Sequence, residues 1–334
     1  MRALICDHWA PYNELKFTET ESPPLRPGCV KIAVHYSTIS FGQLLVVAGK
    51  YQRKPPLPFV PGTEVSGVVI EVADDVTGFA PGDRVAAGLD WGGYAEEAIA
   101  TVETTWHVPD AMDLSAAVCV PLTYGTCYSA LHWRGNLQPG QTLVVYGAAG
   151  GVGLAAVELG RAAGAKVIAV AGSQERVDLA KAHGAHLGLV HGGDDLGQRI
   201  KALNDGKPVD MVFDPVGGDL FKAALHCVRP EGKILVIGFA SGTIPQIPAN
   251  LLLVKNIEVI GFNYGWYIGW GLTDERKRYA DRLAVMMDTL MDMAVKGQIT
   301  PTFSDCFEHE DFIKAFDAVS NRQTKGRALL KVAK

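Results

Sequence analysis

Residues 143–170 read LVVYGAAGGVGLAAVELGRAAGAKVIAV, and this stretch carries the clearest structural pattern in the chain. Its first apolar run ends at Tyr146. A glycine-rich turn follows, then good helix formers up to Gly164, then a second apolar run. The pattern predicts a strand, a turn, a helix and another strand. In such a unit the helix N-terminus accepts the pyrophosphate of a dinucleotide, because its first backbone N–H groups have no partner within the helix.

The glycines of the turn support this interpretation by their context rather than by their spacing. Gly147, Gly150 and Gly153 read G-x-x-G-x-x-G, with Gly151 added, which departs from the usual dinucleotide fingerprint. Glycines also serve ordinary turns, but these follow a predicted strand and open a predicted helix. The position therefore favours nucleotide binding over a plain turn.

The end of the second strand indicates which dinucleotide is bound. An NAD site usually has an acid about 20 residues beyond the glycines, where it binds the ribose 2′-hydroxyl. Here those positions hold Ala171, Gly172 and Ser173, and Arg176 follows. A hydroxyl and a guanidinium suit a 2′-phosphate, since arginine presents a planar fork of donors. The alternative is that Arg176 is an ordinary solvated arginine, but the missing acid favours NADPH.

The composition is that of a globular protein large enough for two domains. The chain has 334 residues, of which 48% are hydrophobic and 20% charged, with a formal net charge of −5. This acidic balance gives no sign of a nucleic-acid surface. By the sequence pattern, no apolar run is expected to approach the length of a membrane span, and the N-terminus, with Asp7, does not resemble a signal peptide. We therefore expect a cytoplasmic protein without nucleic-acid or membrane partners.

The first 120 or so residues are predicted to be rich in strands. Strand patterns occur at Val30–Val34, Val65–Val72 and Arg84–Ala86, separated by Pro/Gly turns. Between the first two lies the loop Ala48–Thr63, whose four prolines keep it out of regular structure. Short strands between such turns predict a barrel or a sandwich.

Beyond residue 123 strands and helices alternate. Six strands are predicted, at 143–146, 166–170, 187–190, 209–214, 233–238 and 257–262. Strands joined by helical crossovers predict an α/β fold with a doubly wound parallel sheet of the Rossmann type.

The C-terminal part changes pattern again. We predict a long helix capped by Thr273 or Asp274 with acids in its first turn, a second helix around Phe312–Val319, and a last strand at Ala328–Val332. This tail is expected to return to the first domain. The predicted domains are therefore 1–123 with 262–334, and 124–261.

Several short stretches, in order along nearly the whole chain, match one known family. They are Gly49–Tyr51, Pro58–Glu64, Pro81–Val85, Tyr146–Gly153, Ile237–Gly242 and Thr324–Arg327. In these stretches the chain resembles the zinc-independent quinone oxidoreductase branch of the medium-chain dehydrogenase/reductase superfamily. The resemblance implies a GroES-like catalytic domain, a Rossmann domain, an active site between them, and homodimers joined through the edge strand near residues 257–262.

The resemblance also implies where NADPH would bind. The implied contacts are the nicotinamide ribose at Thr126, the pyrophosphate at Gly150, Gly151 and Val152, the 2′-phosphate at Ser173, Arg176 and His191, the nicotinamide pocket at Phe239 and Ala240, and the phosphate region at Arg322. For His191 two interpretations stay open, a stacking or hydrogen-bonding role and a plain loop histidine.

The chain departs from the family in its first domain. Relatives commonly have Asn-Phe-x-Asp where this chain has Ser40-Phe41-Gly42-Gln43, so Ser40 would position substrate more weakly than the family's Asn. Zinc-dependent cousins have a His-Glu pair where this chain has Thr63 and Glu64. One carboxylate cannot supply the three ligands of a catalytic zinc. We therefore expect no metal and no alcohol oxidation, because nothing would stabilise the alkoxide.

Without a metal, the hydride acceptor must already be electrophilic, as quinones and carbonyl-conjugated double bonds are. Tyr51 occupies the position at which enoyl-thioester reductases of the superfamily carry a proton-donating tyrosine. It either donates a proton to an enolate or packs as a wall of the site. Other aromatic residues either line a cleft for flat substrates or pack at a junction or dimer contact. They are Phe41, Trp91, Tyr124, Tyr264, Trp266 and Trp270.

The leading hypothesis is an NADPH-dependent reductase that transfers hydride to a quinone or activated alkene, with Tyr51 and Ser40 at the site. The alternative enzyme is an enoyl-CoA or acryloyl-CoA reductase in which Tyr51 donates the proton. A non-catalytic NADPH-binding protein is a third hypothesis. The intact glycines, Ser173, Arg176 and the acidic chain argue against it.

Overall fold

A computed structural model describes residues 1–193 and 195–333. The last residue of the predicted first domain, Lys334, lies outside the described residues. The strands in chain order are β1 (Arg2–Ile5), β2 (Lys16–Glu19), β3 (Cys29–Ile39), β4 (Glu64–Val72), β5 (Arg84–Gly88), β6 (Glu97–Thr101), β7 (Thr105–His107), β8 (Thr142–Tyr146), β9 (Lys166–Ala171), β10 (Leu187–Val190), β11 (Val209–Asp214), β12 (Val228–Val236), β13 (Glu258–Gly261), β14 (Phe303–Glu308) and β15 (Arg327–Lys331).

The helices connect these strands. In chain order they are α1 (Phe41–Val47), α2 (Leu114–Ala117), α3 (Gly125–Tyr128), α4 (Gly151–Ala162), α5 (Gln174–Ala182), α6 (Leu196–Leu203), α7 (Asp219–Cys227), α8 (Ala249–Lys255), α9 (Arg276–Val295) and α10 (Phe312–Ser320). Two π-helical segments, Val120–Tyr124 and Ser129–Arg134, flank α3.

The chain packs as two compact units. Unit 1 comprises Met1–Gly125, Gly265–Gly297 and Pro301–Lys334, and unit 2 comprises Thr126–Tyr264 and Gln298–Thr300. The domain boundaries predicted from the sequence lie within a few residues of these limits and stay a prediction.

Unit 2 contains a parallel sheet. Among its described residues the strand order is β10-β9-β8-β11-β12-β13, with every neighbouring pair parallel. In chain order this is 3-2-1-4-5-6, the order of the Rossmann fold. The central strand β8 is buried along its whole length, as an apolar strand covered on both faces must be. The predicted α/β fold class is confirmed.

Unit 1 is built on a largely antiparallel sheet. In the described part of the chain its order is β14-β15-β3-β4-β5-β7, and β6 also pairs with β3. Val30, Ile32 and Val34 of β3 point into the core of this unit, together with Phe312 and Phe316 of α10. The last strand, β15, runs antiparallel to β3, so the C-terminal residues complete the sheet that the N-terminal residues begin.

The predicted acids in the first turn of the long helix α9 are wrong. The helix begins at Arg276 with Glu275 at its N-cap, and its first turn is basic. The Asp274 side chain does bind this helix end, since its Oδ1 accepts from the Arg276 backbone N at 3.1 Å. Asp274 lies outside the helix and binds the Arg276 side chain, with Nε 2.8 Å from Oδ1. Glu275 lies 3.5 Å from Arg278. The acids of this segment therefore neutralise the basic first turn instead of belonging to it.

One sequence statement needs correction. The segment Leu114–Arg134 is long and apolar enough, by length and composition alone, to cross a membrane. Of its most apolar window, 72% is buried inside the protein, as is usual for core helices. The sequence pattern missed this segment because short α-helical and π-helical pieces interrupt its periodicity.

Candidate active site

The glycine turn of unit 2 has the geometry that a pyrophosphate site requires. Gly147 has φ +59°, a conformation that side chains other than glycine rarely adopt. A Cβ on Gly153 would lie 2.1 Å from the Gly147 carbonyl oxygen and 2.8 Å from the Ala148 Cα. Glycine at 153 therefore lets the first turn of α4 lie directly on the loop, which leaves the helix N-terminus open to a phosphate.

The residues predicted to contact the pyrophosphate lie at the start of α4. Gly150 is the extended N-cap residue, and Gly151 and Val152 are the first two helical residues. The Cys127 thiol donates to the Val152 carbonyl oxygen over 3.1 Å. Thr126 precedes this cysteine in the chain, and its contact with the nicotinamide ribose stays a prediction.

Ser173 and Arg176 lie together after β9. Ser173 is the N-cap of α5, and its hydroxyl oxygen accepts a hydrogen bond from the Arg176 backbone N at 3.3 Å. This bond uses the hydroxyl as an acceptor, so its O–H remains able to donate to a phosphate oxygen. The strand end itself is Ala171 followed by Gly172, so no carboxylate occupies the place where an NAD site binds the ribose.

His191 follows β10 and reaches the same place. Its backbone N donates to the Ala171 carbonyl oxygen at 2.9 Å, because β10 and β9 are parallel with Val190 opposite Ala171. Its Nε2 lies 3.4 Å from where a Cβ on Gly172 would be. The imidazole is exposed beside the Gly172–Ser173 turn. This geometry suits a phosphate-binding role better than a distant loop histidine.

The loops that follow β11 and β12 pack on each other. Phe239 is 40% exposed, and its Cδ1 lies 3.0 Å from where a Cβ on Gly217 would be. Ala240 N donates to the Pro215 carbonyl oxygen at 3.1 Å. Asp214, at the end of β11, fixes this arrangement because its Oδ1 accepts from the backbone N of Val216 and of Gly217, both at 2.8 Å.

The sequence missed Asp214 as a site-shaping residue. Burial raises its pKa, and the two backbone donors oppose that shift. An available signal was the run Asp214-Pro215-Val216-Gly217-Gly218, since Asp before glycines is typical of a turn closed by its own carboxylate. All of these loops leave the carboxyl ends of parallel strands. They therefore lie along one edge of the sheet, where open α/β sheets bind their ligands.

In unit 1, Ser40 and Tyr51 flank the same glycine. Ser40 is the N-cap residue of α1. A Cβ on Gly42 would lie 3.6 Å from the Ser40 Oγ and 3.9 Å from the Tyr51 Cε2. The structure thus brings together the two residues predicted to be catalytic. Burial raises the pKa of the Tyr51 phenol, and Gln52 and Arg53 oppose this, so Tyr51 is protonated at neutral pH.

Gln43 has a structural task at the position where relatives carry Asp. Its side chain is buried. Its Nε2 donates to the Thr63 Oγ1 at 3.0 Å, and its Oε1 accepts from the Gly62 backbone N at 3.2 Å. The amide therefore ties the start of α1 to the end of the proline-rich loop. A carboxylate could accept from Gly62 but could not donate to Thr63 as this amide does.

Glu64 is fully buried and fully engaged. Its Oε2 accepts from the Thr38 hydroxyl at 2.7 Å and lies 3.3 Å from the Arg327 guanidinium, and its Oε1 accepts from the Leu122 backbone N at 2.7 Å. Burial raises its pKa, and Arg327 with the other donors opposes this. Arg327 also donates to the Thr123 hydroxyl at 2.7 Å. The sequence missed this role, although Arg327 lies in one of the family-matching stretches.

Within residues 1–193 and 195–333, no three His, Cys, Asp or Glu side chains come together as a metal site requires. Ser40 and Thr63 stand where zinc-dependent relatives carry ligands, and the Thr63 hydroxyl already accepts from Gln43. The expected absence of a catalytic metal stays a prediction.

Some predicted residues are not placed by these contacts. Arg322 is exposed after α10, with φ +56°, and its role toward the cofactor stays a prediction. Tyr124 and Tyr264 are buried, and the choice between lining a cleft and packing at a junction stays open for them. Phe41 is 42% exposed. Trp91 and Trp270 instead contact a common arginine, Arg53, which the sequence did not single out.

Two family models match the chain. Residues 26–110 match the alcohol dehydrogenase GroES-like domain, and residues 151–284 match the zinc-binding dehydrogenase family. The first match confirms the predicted GroES-like domain, and the second begins at Gly151, inside the glycine turn, and covers strands β9 to β13 of the parallel sheet.

Curated proteins and solved structures agree with these matches. The chain is 36% identical over 330 residues to the quinone oxidoreductase-like protein 2 of Bos taurus, covering 98% of this chain and 92% of that protein. It is 30% identical to the quinone oxidoreductase of Homo sapiens, covering 85% of each. A mycobacterial structure complexed with NADPH aligns with TM-score 0.90 and 25% identity, covering 99% of this chain and 100% of that one. The chain belongs to the quinone oxidoreductase branch of the medium-chain dehydrogenase/reductase superfamily of oxidoreductases.

Proposed function

We propose that this protein is an NADPH-dependent, zinc-independent reductase that transfers hydride to a quinone or another carbonyl-conjugated double bond. One observation carries the proposal. The Gly147–Gly153 turn leaves the N-terminus of α4 open to a pyrophosphate. The neighbouring strand β9 ends without an acid, and Ser173, Arg176 and His191 lie beside its end. The mycobacterial relative solved with NADPH supports the same cofactor here.

The residues of unit 2 fit this dinucleotide. Bound NADPH would supply the hydride. The start of α4 would hold the pyrophosphate, Ser173, Arg176 and His191 the 2′-phosphate, and Phe239 and Ala240 the nicotinamide. The half-exposed Phe239 ring offers an apolar face suited to a flat ring.

The proposed substrates need no Lewis acid. Glu64, the remaining carboxylate of the zinc-ligand region, is already bound by Arg327, Thr38 and Leu122. Quinones and conjugated carbonyl compounds accept hydride without metal polarisation. The names of the bovine and human relatives support quinone as a substrate class.

A second candidate is reduction of an enoyl thioester with Tyr51 as proton donor. The raised pKa of Tyr51 and its position next to Ser40 favour it. Hydride addition to the β-carbon leaves an enolate, and a protonated phenol can deliver the proton that completes the reaction.

We also propose that the protein is a homodimer joined through β13. This strand is the last in its sheet, so one of its edges is unpaired within the described part of the chain. The neighbouring helix α8 exposes Leu253 by 77% and Val254 by 74%. An unpaired edge beside exposed apolar side chains is the kind of surface that associates.

The test combines binding, metal analysis and turnover. Purified protein dialysed against EDTA should contain no stoichiometric zinc, should bind NADPH more tightly than NADH, and should oxidise NADPH with benzoquinone. Tyr51→Phe should lose turnover of crotonyl-CoA and keep that of benzoquinone if the phenol is a proton donor. Activity that returns only with added zinc, or no NADPH binding, would refute the proposal.

A further inference from the structure

The proline-rich loop that carries Tyr51 is fastened mainly at its ends. At its start, Lys50 N donates to the Leu45 carbonyl oxygen at 2.8 Å. From Phe59 onward, backbone hydrogen bonds join it to Cys6 and to residues 92–94. Among the described hydrogen bonds that leave the loop between Tyr51 and Pro58, both come from the Arg53 side chain. Arg53 therefore makes the polar attachment of the middle of the loop, next to the apolar packing of Tyr51 and the buried Pro55.

The Arg53 guanidinium is held by aromatic rings and by a carboxylate. Its central carbon lies 5.2 Å from the Trp91 ring centroid and 5.3 Å from that of Trp270. Its Nη2 lies 2.6 Å from the Asp90 Oδ1, and its Nη1 donates to the Asp90 carbonyl oxygen at 2.9 Å. A planar guanidinium can make ring contacts and a two-pronged hydrogen bond at the same time. The loop is thus attached both to the segment after β5 and to the segment before α9.

Asp90 is itself fixed from its other side. The Arg276 Nη2 lies 3.0 Å from the same Asp90 Oδ1, and the Arg276 Nη1 donates to the Thr101 hydroxyl at 3.2 Å. The Arg276 side chain is only 9% exposed. A Cβ on Gly269 would lie 2.3 Å from Arg276 Nε, so the glycine makes room for this guanidinium. Two arginines therefore share one carboxylate oxygen, and the one that does not belong to the loop, Arg276, is buried.

We propose that Arg53 is a positioning residue, held by Trp91, Trp270 and Asp90, that fixes the loop so that the Tyr51 phenol stays beside Ser40 during reduction of the substrate. This inference rests on the proposed function, because it assigns Tyr51 to the reacting end of the substrate. It explains why two tryptophans and a shared ion pair, distant in sequence, converge on one loop arginine. Arg53 acts through Tyr51 and is not itself placed on the substrate.

The first measurement reads the loop without any turnover. Arg53→Met and the neighbouring Lys54→Met remove one cation each, and Lys54 is exposed. Chymotrypsin cleavage after Tyr51 under native conditions should be faster in Arg53→Met and stay at the wild-type rate in Lys54→Met. Amide hydrogen exchange in β3 and β4 should be unchanged in both variants, which reports that unit 1 is folded.

The second measurement asks whether Arg53 acts through Tyr51. Arg53→Met should lower kcat with an electrophile by roughly tenfold or more, since small misplacements of a reacting group are expensive. The Kd for NADPH should not change. Arg53→Lys should recover only part of the loss, because an ammonium lacks the planar fork. In a Tyr51→Phe background Arg53→Met should add little further loss with crotonyl-CoA, the signature of two residues acting as a unit.

The outcomes separate the two proposals. If wild-type protein neither binds NADPH nor reduces either electrophile, the proposed function fails, and the cleavage experiment still tests the attachment of the loop. If wild-type turnover is observed but Arg53→Met matches Lys54→Met in cleavage rate and kcat, the positioning role is wrong. Fully additive losses of Arg53→Met and Tyr51→Phe would likewise overturn it.

Discussion

Ser173 combines two tasks that a single hydroxyl group can perform together. Its oxygen accepts from the Arg176 backbone N and so begins α5, which leaves its own proton to donate outward. An aspartate here could cap the helix equally well but would repel a 2′-phosphate. The same residue therefore helps to start a helix and to favour the phosphorylated cofactor.

Arg176→Ala should lower the preference for NADPH over NADH. A hydrogen bond to a charged group contributes about 1.5–3 kcal/mol, which corresponds to a change of roughly ten- to a hundredfold in relative affinity. NADH affinity should stay nearly constant, because the lost contact is with the 2′-phosphate alone. Fluorescence titration with both cofactors gives the ratio.

Lys181→Ala is the matched control for that titration. Lys181 is an exposed cation in the last turn of the same helix, so its loss changes the net charge equally without touching the strand end. An unchanged ratio in Arg176→Ala, or an equal fall in Lys181→Ala, would show that Arg176 does not bind the 2′-phosphate.

The role of a single residue could be predicted from the sequence only where its pattern lies within a short stretch of the chain. The glycines, Ser173 and Arg176 lie within about 30 residues of one another in a recognisable order, so their placement was predictable. Arg53 was not, because Asp90, Trp91, Trp270 and Arg276 come from distant parts of the chain. Contacts of that kind carry no local pattern.

At the scale of elements, the Glu64–Arg327 pair joins the start of β4 to the start of β15. Glu64→Gln should destabilise the protein by about 3 kcal/mol, because it leaves the Arg327 guanidinium, of which only 14% is exposed, without its carboxylate. The amide would also direct a donor toward the Leu122 N–H or the Thr38 hydroxyl. The free energy of unfolding from urea denaturation checks this value.

Glu71→Gln provides the comparison on the same strand. Glu71 pairs with Lys31 at 2.9 Å, but its side chain is 54% exposed. Surface pairs of this kind contribute about 1 kcal/mol or less, so the loss should be small. Equal losses in the two variants would mean that the buried pair does not stabilise unit 1 beyond an ordinary surface pair.

His309, in the turn before α10, should make stability depend on pH. It is buried, its Nε2 lies 3.2 Å from the Tyr94 carbonyl oxygen, and its Nδ1 has no partner among the described residues. Burial lowers its pKa. Below about pH 6.5 the unfolded chain therefore binds a proton at this histidine more readily than the folded chain does. The free energy of unfolding consequently decreases as the pH is lowered, and this group contributes at most about 1.4 kcal/mol per pH unit.

His309→Gln should make this acid-side loss shallower in urea denaturation between about pH 7 and pH 5. His8→Gln serves as the opposite control. His8 is exposed, and hydrogen bonds to Asp7 and Glu14 raise its pKa, so protonated His8 stabilises the folded state and its removal should steepen the loss. If the free energy of unfolding decreases equally steeply toward low pH in His309→Gln and in the wild type, the assignment to His309 is wrong.

The elements themselves were predictable where periodicity was regular. The strands β10 and β11 match their predicted limits, since both read as apolar runs between turns. The region 114–134 was not predictable, because π-helical turns break the 3.6-residue period. The first turn of α9 was wrongly predicted to be acidic because Asp274 and Glu275 precede the helix, where Asp274 Oδ1 accepts from both the backbone N and the side chain of Arg276.

At the scale of the molecule, chain order and spatial order differ. The last strand β15 lies against β3 near the start of the chain, while the parallel sheet is formed by a continuous middle section. The sequence indicated that the C-terminal part returns to the first domain but not which strand it would pair with, because the pattern of one strand does not identify its neighbour in the sheet. It could not predict which surfaces stay apolar after folding, and Leu253 and Val254 became notable only through their exposure.

Leu253→Asp should convert the proposed dimer into monomers. In a twofold interface the same leucine is lost from both copies. Burying one leucine contributes about 1.5–3 kcal/mol, so the two together should raise the dimer Kd at least about a hundredfold. Sedimentation velocity over a range of concentrations measures this shift. Val285→Asp is the control, because Val285 is 67% exposed on α9, which belongs to unit 1, whereas α8 and β13 belong to unit 2. A monomeric wild type, or equal dissociation in both variants, would exclude the edge of β13 as the contact.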